Sequence, residues 1–430
     1  MKLINKTIVK GLNGKITVPG DKSISHRAVM FGALAEGKTT IYGFLKGEDC
    51  LSTINCFRDL GVQIKVDQDK VEILSEGISS FKQPLSPLNV GNSGTTIRLL
   101  MGILSNINFP TTLIGDSSIS KRPMKRVIQP LRQMGAKIEA KANDNLTPIK
   151  IMGTQLKGID YKLSVSSAQV KSALLLAGLF ADGITTITEP EKSRDHTERM
   201  LSNFGVEVNW HPDSLKISLK GKQKLQAKTI SVPGDISSAS FFIVAATIVP
   251  NSDIIIKNVG LNPTRTGLID VLKTMGASIT VENIQGEGYE PYGDIRVKSA
   301  QLKGIVIGGE IIPRLIDEIP ILALAATQAT GTTIIKDAQE LKVKESNRIE
   351  TVVNELKNMS ADISSTDDGM FIKGCSNLKG TRVDSHNDHR IGMMLKIASL
   401  VAEGQTIVDN ENVINISYPH FNQDLKSLLE

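Results

Sequence analysis

Apolar residues recur along the chain in one repeated order. A wholly apolar helical stretch ends in a glycine-containing turn and continues into a β-branched strand. A surface helix would alternate apolar and polar positions every three to four residues, so these uniformly apolar stretches predict buried helices. The clear copies occupy residues 28–41, 172–187, 321–335 and 395–408, and looser copies occupy 96–113 and 239–256.

A second, amphipathic helix follows in most copies and ends in another short turn before a strand. Glycine occupies this turn at Gly61, Gly135, Gly205 and Gly276, at intervals of about 70 residues, and Ser360 takes its place in a fifth copy. Glycine there supplies the left-handed residue that ends a helix. Six units of strands alternating with two helices would use nearly the whole chain, which predicts an α/β (α+β) fold.

The two halves of the chain also resemble each other. Residues 16–23 (ITVPGDKS) return as residues 230–237 (ISVPGDIS), almost half the chain length later. Two halves of similar design are the simplest explanation of this repeat.

Composition excludes several classes of protein. The chain has 430 residues, of which 40% are hydrophobic and 22% charged, so a wholly disordered chain is excluded. Its formal net charge of +5 suits anionic small molecules and does not require nucleic acid. Aromatic residues make up only 4%, with Trp210 the single tryptophan, which argues against base-stacking surfaces.

Cysteine usage and the N-terminus point to a cytoplasmic protein. The three cysteines, Cys50, Cys56 and Cys375, form no CxxC pair and cannot build a disulfide framework. The first residues lack the apolar core of a signal peptide, and the longest apolar runs are too short to cross a bilayer. We expect reduced thiols and no membrane association.

One apparent nucleotide motif is in the wrong context. Residues 32–39 (GALAEGKT) match the phosphate-loop pattern, which must follow a strand and open a helix. Here a helical run over residues 25–35 precedes the motif and a strand over 39–42 follows it, so we predict an ordinary helix-to-strand turn.

Basic and polar motifs stand at the starts of several predicted buried helices. A helix N-terminus carries positive partial charge, so cations there are unfavourable unless an anion joins them. Each motif alone also fits a helix cap or a solvated basic surface, but their recurrence in both halves favours a site for anions, at least one of them a phosphate ester. The motifs are residues 18–27, 89–98, 118–126, 164–171, 193–198, 342–348 and 384–390.

Two carboxylates between apolar flanks are candidate proton-transfer groups. Asp317 and Glu318 precede an apolar run and could be helix caps or a base with a shifted pKa. Glu345 lies beside Lys344 and Arg348, which alternatively form a salt-bridged helix face. His386 and His389 could bind a metal, but no clear third ligand accompanies them. If the halves face each other, the helix starts would converge on one cleft with two clusters of cations.

These motifs together resemble the 5-enolpyruvylshikimate-3-phosphate synthase family, over essentially the whole chain and most closely its second bacterial subgroup. The resemblance implies a two-domain inside-out α/β barrel of six βαβαββ-type repeats, three per domain. One domain would span residues 20–232; the other would combine residues 1–19 with 233–430, with hinges near 19–20 and 231–234. The shared segments are VPGDKSISHR, VGNSGTTIRLL, KRPM, SSAQVKSA, VPGDISSA, IDEIP, KVKESNR and NDHR.

The implied reaction transfers the carboxyvinyl group of phosphoenolpyruvate to the 5-hydroxyl of 3-phosphoshikimate and releases phosphate, without metal or organic cofactor. By this resemblance, Asp317 is the base at the 5-hydroxyl, Glu345 the acid–base group at the methylene carbon, and Lys22 touches both substrates. His389 would play a supporting part. The residues implied for 3-phosphoshikimate are Lys22, Ser23, Arg27, Ser167, Gln169, Arg194, Asp317 and Lys344. Those implied for phosphoenolpyruvate are Lys22, Gly94, Arg122, Gln169, Arg348 and Arg390.

The resemblance also implies a monomer in the bacterial cytoplasm and a place in the shikimate pathway to aromatic amino acids. The family is the target of glyphosate, and the sequence leaves open whether this chain is sensitive to it. Two positions depart from the family pattern: Ala168 replaces a serine, and Ile416 stands where many members carry lysine. Two alternatives are a transferase that acts on UDP-N-acetylglucosamine and a non-catalytic sensor of phosphorylated metabolites. The first carries a reactive loop cysteine, whereas this chain has none between Cys56 and Cys375.

Overall fold

The structure is a computed structural model that describes residues 10–286 and 289–429. The chain divides into two compact units: Gly20–Val232 forms one, and the chain up to Pro19 joins the segment from Pro233 onward in the other. We call them the Gly20 unit and the Pro233 unit.

The secondary structure is a regular alternation of strands and helices. The strands are β1 (Asn13–Thr17), β2 (Glu36–Tyr42), β3 (Gln63–Asp67), β4 (Lys70–Glu76), β5 (Leu88–Asn89), β6 (Pro110–Ile114), β7 (Lys137–Ala140), β8 (Leu146–Met152), β9 (Asp160–Lys162), β10 (Ile184–Thr188), β11 (Val208–Asn209), β12 (Lys216–Lys220), β13 (Thr229–Ser231), β14 (Asp253–Gly260), β15 (Ser278–Gln285), β16 (Tyr292–Lys298), β17 (Val306–Ile307), β18 (Thr332–Ile335), β19 (Asp362–Ser365), β20 (Met370–Lys373), β21 (Arg382–Asp384) and β22 (Ile407–Asp409). The helices are α1 (Lys22–Leu34), α2 (Glu48–Asp59), α3 (Gly94–Leu104), α4 (Lys125–Gln133), the single turn α5 (Lys141–Asp144), α6 (Ala168–Gly178), α7 (His196–Asn203), α8 (Ile236–Ile248), α9 (Gly267–Thr274), α10 (Ile312–Leu315), α11 (Ile319–Thr327), α12 (Arg348–Asn358), α13 (His389–Val401) and α14 (Phe421–Leu429).

Three four-stranded sheets build the Gly20 unit, in the orders β13-β2-β4-β3, β5-β6-β8-β7 and β9-β10-β12-β11. In each sheet the first two strands are parallel and the remaining neighbours are antiparallel. The first sheet takes its outer strand from the far end of the unit, because β13 pairs with β2. Strands distant in sequence thereby close the unit.

The Pro233 unit repeats this design with one short copy. Its sheets have the orders β1-β14-β16-β15, β17-β18-β20-β19 and β21-β22. The N-terminal strand β1 lies parallel to β14 and so belongs to this unit. In the described residues the third sheet has two strands, and a 3-10 turn and α14 follow it. The predicted mixed α/β class is therefore confirmed, while the last repeat is abbreviated.

The apolar helices are the cores of the units, as their uniform composition predicts. Residues 236–247 of α8 are all buried, as are residues 319–327 of α11. The second helices end at left-handed residues: φ is +91° at Gly61, +107° at Gly135 and +72° at Ser360. Ser360 therefore adopts the glycine conformation without being glycine.

The apparent phosphate loop is a helix-to-strand turn, as predicted. Gly32 lies inside α1, and Gly37 and Lys38 lie in β2, which follows the helix directly. Within residues 10–286 and 289–429, no helix is long and apolar enough to cross a membrane.

Candidate active site

The start of α1 presents a lysine beside an aspartate. Asp21 caps the helix, since its Oδ1 accepts a hydrogen bond from Ile24 N at 2.8 Å. Lys22 is the first helical residue, and its Nζ forms an ion pair with Asp49 of α2. The pair is partly exposed, so Lys22 can reach an anionic ligand while Asp49 limits its freedom.

Arg27 lies one turn further along α1 and is buried. Its Nε donates to Thr197 Oγ1 at 2.7 Å, and its Nη2 donates to Ser172 Oγ at 2.8 Å. Its Nη1 donates to the Ser23 carbonyl at 3.0 Å. The guanidinium is therefore held by α6 and α7 as well as by its own helix, which fixes its orientation.

The α3 start brings two arginines together over a glycine. Ser93 caps the helix by accepting from Thr96 N at 3.1 Å. A β-carbon added to Gly94 would lie 2.9 Å from Arg122 Nη1 and 3.1 Å from Arg98 Nη1. Any side chain here would press on both guanidinium groups. Free N–H groups at a helix start beside two arginines suit an anion.

Gln169 of α6 joins this cluster. Its Oε1 accepts from Arg98 Nη1 at 2.5 Å, and its Nε2 donates to Thr95 Oγ1 at 3.1 Å. Ser167 occupies the N-cap of α6, so the capping alternative holds for Ser167, whereas Gln169 binds another helix. Arg194 lies in the loop before α7 and is half-buried.

One sequence expectation in this unit needs correction. Arg122 has an extended backbone and lies three residues before α4, which begins at Lys125. The segment 193–198 was expected to cap α7, but Asp195 at the N-cap makes no capping hydrogen bond through its side chain.

The Pro233 unit contains a buried arginine surrounded by three carboxylates. Arg348 is 1% exposed. Its Nε donates to Asp388 Oδ2 at 2.8 Å, its Nη2 to Glu345 Oε2 at 2.6 Å, and its Nη1 to Asp317 Oδ1 at 3.2 Å. The carboxylates raise the pKa of Arg348 against the opposing effect of its burial, so it remains a cation.

The two candidate proton-transfer groups differ from the third carboxylate in exposure. The side chain of Asp317 is 12% exposed and that of Glu345 is 22% exposed, whereas that of Asp388 is wholly buried. Lys344 Nζ lies 3.2 Å from Asp317 Oδ1. Asp317 and Glu345 are thus accessible to a ligand, whereas Asp388 is inaccessible and contacts Arg348.

Asp388 has a second task as the N-cap of α13. Its Oδ1 accepts from Arg390 N at 3.0 Å. Burial would raise the pKa of Asp388, but the Arg348 guanidinium outweighs burial and holds that pKa below its ordinary value. Arg390 Nη1 lies 3.9 Å from Glu318 Oε1, and Glu318, at the α11 N-cap position, makes no capping bond.

The metal alternative for the two histidines finds no support in the described part of the chain. His386 Nε2 bonds Glu355 Oε1 at 2.7 Å, and His389 is buried at the start of α13. Among residues 10–286 and 289–429, no three His, Cys, Asp or Glu side chains are grouped to hold a metal ion.

Lys344 and Arg348 do not share a helix face, contrary to the alternative considered above. Arg348 is the first residue of α12, and Lys344 has an extended backbone before it. Ile416 ends a 3-10 turn, and Tyr418, two residues later, packs against Phe242 and Phe421 in the core. Tyr418 therefore belongs to the apolar core of the Pro233 unit.

Sequence reasoning missed Asp49, Arg98 and Asp388. Arg98 and Asp388 lie inside the motifs at 89–98 and 384–390. Their hydrogen bonds, to Gln169 and Arg348, join residues 40 or more positions apart. Asp49 carried no motif signal at all. A charged residue inside an otherwise apolar helix, as at Arg98, is the one signal that could have drawn attention.

The known proteins compared with this chain share one name. The family model for EPSP synthase (3-phosphoshikimate 1-carboxyvinyltransferase) matches residues 6–425. A relative from Bacillus cytotoxicus named 3-phosphoshikimate 1-carboxyvinyltransferase is 59% identical, over 97% of this chain and 98% of that protein. One from Bacillus thuringiensis with the same name is 58% identical over 99% of both chains.

The fold has the same relatives. A solved structure of EPSP synthase from Acinetobacter baumannii superposes with a TM-score of 0.87 and 47% identity, covering 97% of this chain and 96% of that one. The family match spans both units and every motif described above. The chain belongs to the EPSP synthase family.

Proposed function

We propose that this chain transfers the carboxyvinyl group of phosphoenolpyruvate to the 5-hydroxyl of 3-phosphoshikimate, giving 5-enolpyruvylshikimate 3-phosphate and phosphate. The observation that carries the proposal is the grouping of Asp317, Glu345 and Lys344 around buried Arg348. It places two accessible carboxylates beside fixed cations. Relatives at 58–59% identity are named for this activity.

The first step forms a carbon–oxygen bond and a carbon–hydrogen bond. The 5-hydroxyl attacks C2 of phosphoenolpyruvate and loses its proton to Asp317, while Glu345 supplies a proton to the methylene carbon. The second step removes phosphate from C2 and returns a methyl proton to Glu345, which restores the vinyl group. Atoms balance, because the hydroxyl proton leaves with phosphate.

The tetrahedral intermediate carries a phosphate and a carboxylate on one carbon, so preorganised cations should lower its free energy. We assign phosphoenolpyruvate to Arg122, Arg348 and Arg390, with Gly94 leaving room for it. Lys22 and Gln169 would touch both substrates.

The 3-phosphoshikimate residues are assigned on the same basis. Arg27 and Arg194 provide charge, and Ser23 and Ser167 provide hydroxyl groups. Lys344 lies beside Asp317 and would hold the transferred oxygen close to its base.

The transfer to UDP-N-acetylglucosamine is not favoured, since the chain has no cysteine between Cys56 and Cys375. We also propose a monomer in the bacterial cytoplasm that handles small molecules only. Sedimentation of the purified chain and fractionation of its host cell would test these two points.

The test of the activity is phosphate release by the purified protein with each substrate alone and with both. Release that requires both substrates, with 5-enolpyruvylshikimate 3-phosphate as co-product, is the expected result. Tight binding of either substrate without phosphate release would instead favour the metabolite sensor.

A further inference from the structure

The Gly20 unit contains a buried lysine that is not among the ligand groups assigned above. Lys171 is 1% exposed, and its Nζ lies 2.6 Å from Glu189 Oε2 and 2.5 Å from Glu198 Oε1. Both glutamates are buried as well. We call Lys171, Glu189 and Glu198 the buried triad; the reaction described above does not use them.

The buried triad joins three elements of one repeat. Lys171 lies in the first turn of α6, Glu189 directly follows β10, and Glu198 lies in the first turn of α7. Ser193 donates its hydroxyl hydrogen bond to Glu189. The loop that carries Arg194 is therefore tied to one ammonium group at both of its ends.

The residues beside the triad are the partners of Arg27. Ser172 follows Lys171, Thr197 precedes Glu198, and their hydroxyl oxygens lie 2.6 Å apart. Both accept hydrogen bonds from Arg27. Lys171 thus holds α6 to α7 one residue away from the position where those helices hold Arg27.

Stability alone does not account for the triad. Burying three charges carries a large cost in lost solvation, and well-packed apolar side chains of similar volume are often as stable or more so. One cation also faces two carboxylates, and burial raises the pKa of Glu198 despite the lysine. The buried triad supplies directional contacts that fix the position of α6 relative to α7. Apolar packing would not supply contacts of this kind.

We propose that Lys171, Glu189 and Glu198 are positioning residues for 3-phosphoshikimate, acting through Arg27 and Arg194. This inference rests on the proposed function. It predicts that disturbing the triad weakens the use of 3-phosphoshikimate selectively, because the phosphoenolpyruvate cations lie on other elements.

The first variant is Glu198→Gln, which keeps the side-chain shape and leaves the charges of Lys171 and Glu189 balanced. We expect KM for 3-phosphoshikimate, and its Kd by calorimetry, to rise roughly five- to twentyfold, since small misplacements of binding groups are costly. KM for phosphoenolpyruvate should stay within about twofold. The triple variant Lys171→Met, Glu189→Gln, Glu198→Gln removes all three charges and should show the same selectivity.

The control is Ile73→Val, which leaves a small cavity at a buried position of β4, in another sheet of the same unit. Its thermal midpoint should fall without any selective change in KM. Equal rises in both KM values, or none in folded Glu198→Gln, would overturn the inference and leave the proposed function standing. A wild-type protein that neither turns over nor binds 3-phosphoshikimate would overturn both.

Discussion

Replacing Asp388 by asparagine tests how the arginine of the Pro233 unit is held. Asp388 accepts four hydrogen bonds on two oxygens. Oδ2 accepts from Arg348 Nε at 2.8 Å and Ser346 Oγ at 3.1 Å. Oδ1 accepts from Arg348 Nη2 at 3.2 Å and Arg390 N at 3.0 Å. Asparagine offers one oxygen, so in either orientation its amide group faces two donors.

The expected cost follows from burial. Breaking a fully buried ion pair by removing one partner typically costs about 3–5 kcal/mol. Asp317 and Glu345 still face Arg348 in this variant, but the asparagine amide group lies against two donors in a wholly buried position. For a unit of about 200 residues, each kcal/mol lowers the thermal midpoint by about 2–4 °C. We therefore expect Asp388→Asn to unfold about 6–20 °C below wild type, measured by circular dichroism at pH 7.

Asp384→Asn is the matched control. The Oδ1 atom of Asp384 accepts both of its hydrogen bonds, from His386 N at 2.8 Å and Asn410 Nδ2 at 3.0 Å. Asparagine keeps that oxygen, so the change should cost less than about 1 kcal/mol. Equal midpoint shifts for the two variants, or a shift below about 2 °C for Asp388→Asn, would refute the reasoning.

The pH dependence adds a second check. Because the folded pKa of Asp388 is lowered, its stabilisation is complete above the unfolded value of about 3.9 and is lost as pH falls towards the folded value. The difference in unfolding free energy between wild type and Asp388→Asn should be the same at pH 6 and pH 8 and should shrink only below about pH 4.

Three further changes have expected outcomes. Burial lowers the pKa of His26 to about 3, so between pH 6.5 and 3 the unfolded state binds a proton that the folded state does not. In this range His26→Asn should lower the slope of unfolding free energy against pH by about 1.4 kcal/mol per pH unit. An unchanged slope between pH 6 and 4 would contradict this. Ser360→Gly should raise the free energy of unfolding, measured in urea, by about 0.5–1 kcal/mol, because φ at Ser360 is +72° and its exposed side chain adds no packing. A lower free energy of unfolding would argue against backbone strain at Ser360. Gly94→Ala should raise KM for phosphoenolpyruvate several-fold more than KM for 3-phosphoshikimate, since its methyl would displace Arg122; equal effects would remove Gly94 from the assigned subsite.

Local patterns predicted the repeats well because their physical causes are local. A left-handed residue after a helix requires glycine or a tolerated substitute, and Gly61, Gly135 and Ser360 all adopt that conformation. Uniformly apolar stretches must be buried, as α8 and α11 are. The two-stranded last sheet of the described residues was not predicted, because the sequence there carries no pattern that distinguishes it from the other repeats.

Contacts between distant parts of the chain explain what the sequence could not predict. The Arg348–Asp388 pair joins residues 40 positions apart, and Arg27–Thr197 joins residues 170 apart. Lys171 looks like a polar residue at a helix start, yet it is buried between two glutamates. Only the folded arrangement distinguishes a ligand-facing charge from one that holds another side chain.

The most direct test of the central claim compares turnover and binding in Asp317→Asn and Glu345→Gln. Both variants keep the side-chain shape and lose the proton-transfer function assigned to them, together with the charge that each carboxylate places beside Arg348. We predict that phosphate release in the presence of both substrates falls at least about a hundredfold in each. The Kd for 3-phosphoshikimate, measured by calorimetry, should stay within about threefold of wild type in Glu345→Gln, because Glu345 is not among the residues assigned to that substrate. Wild-type rates of phosphate release in either variant would contradict the roles assigned to these carboxylates.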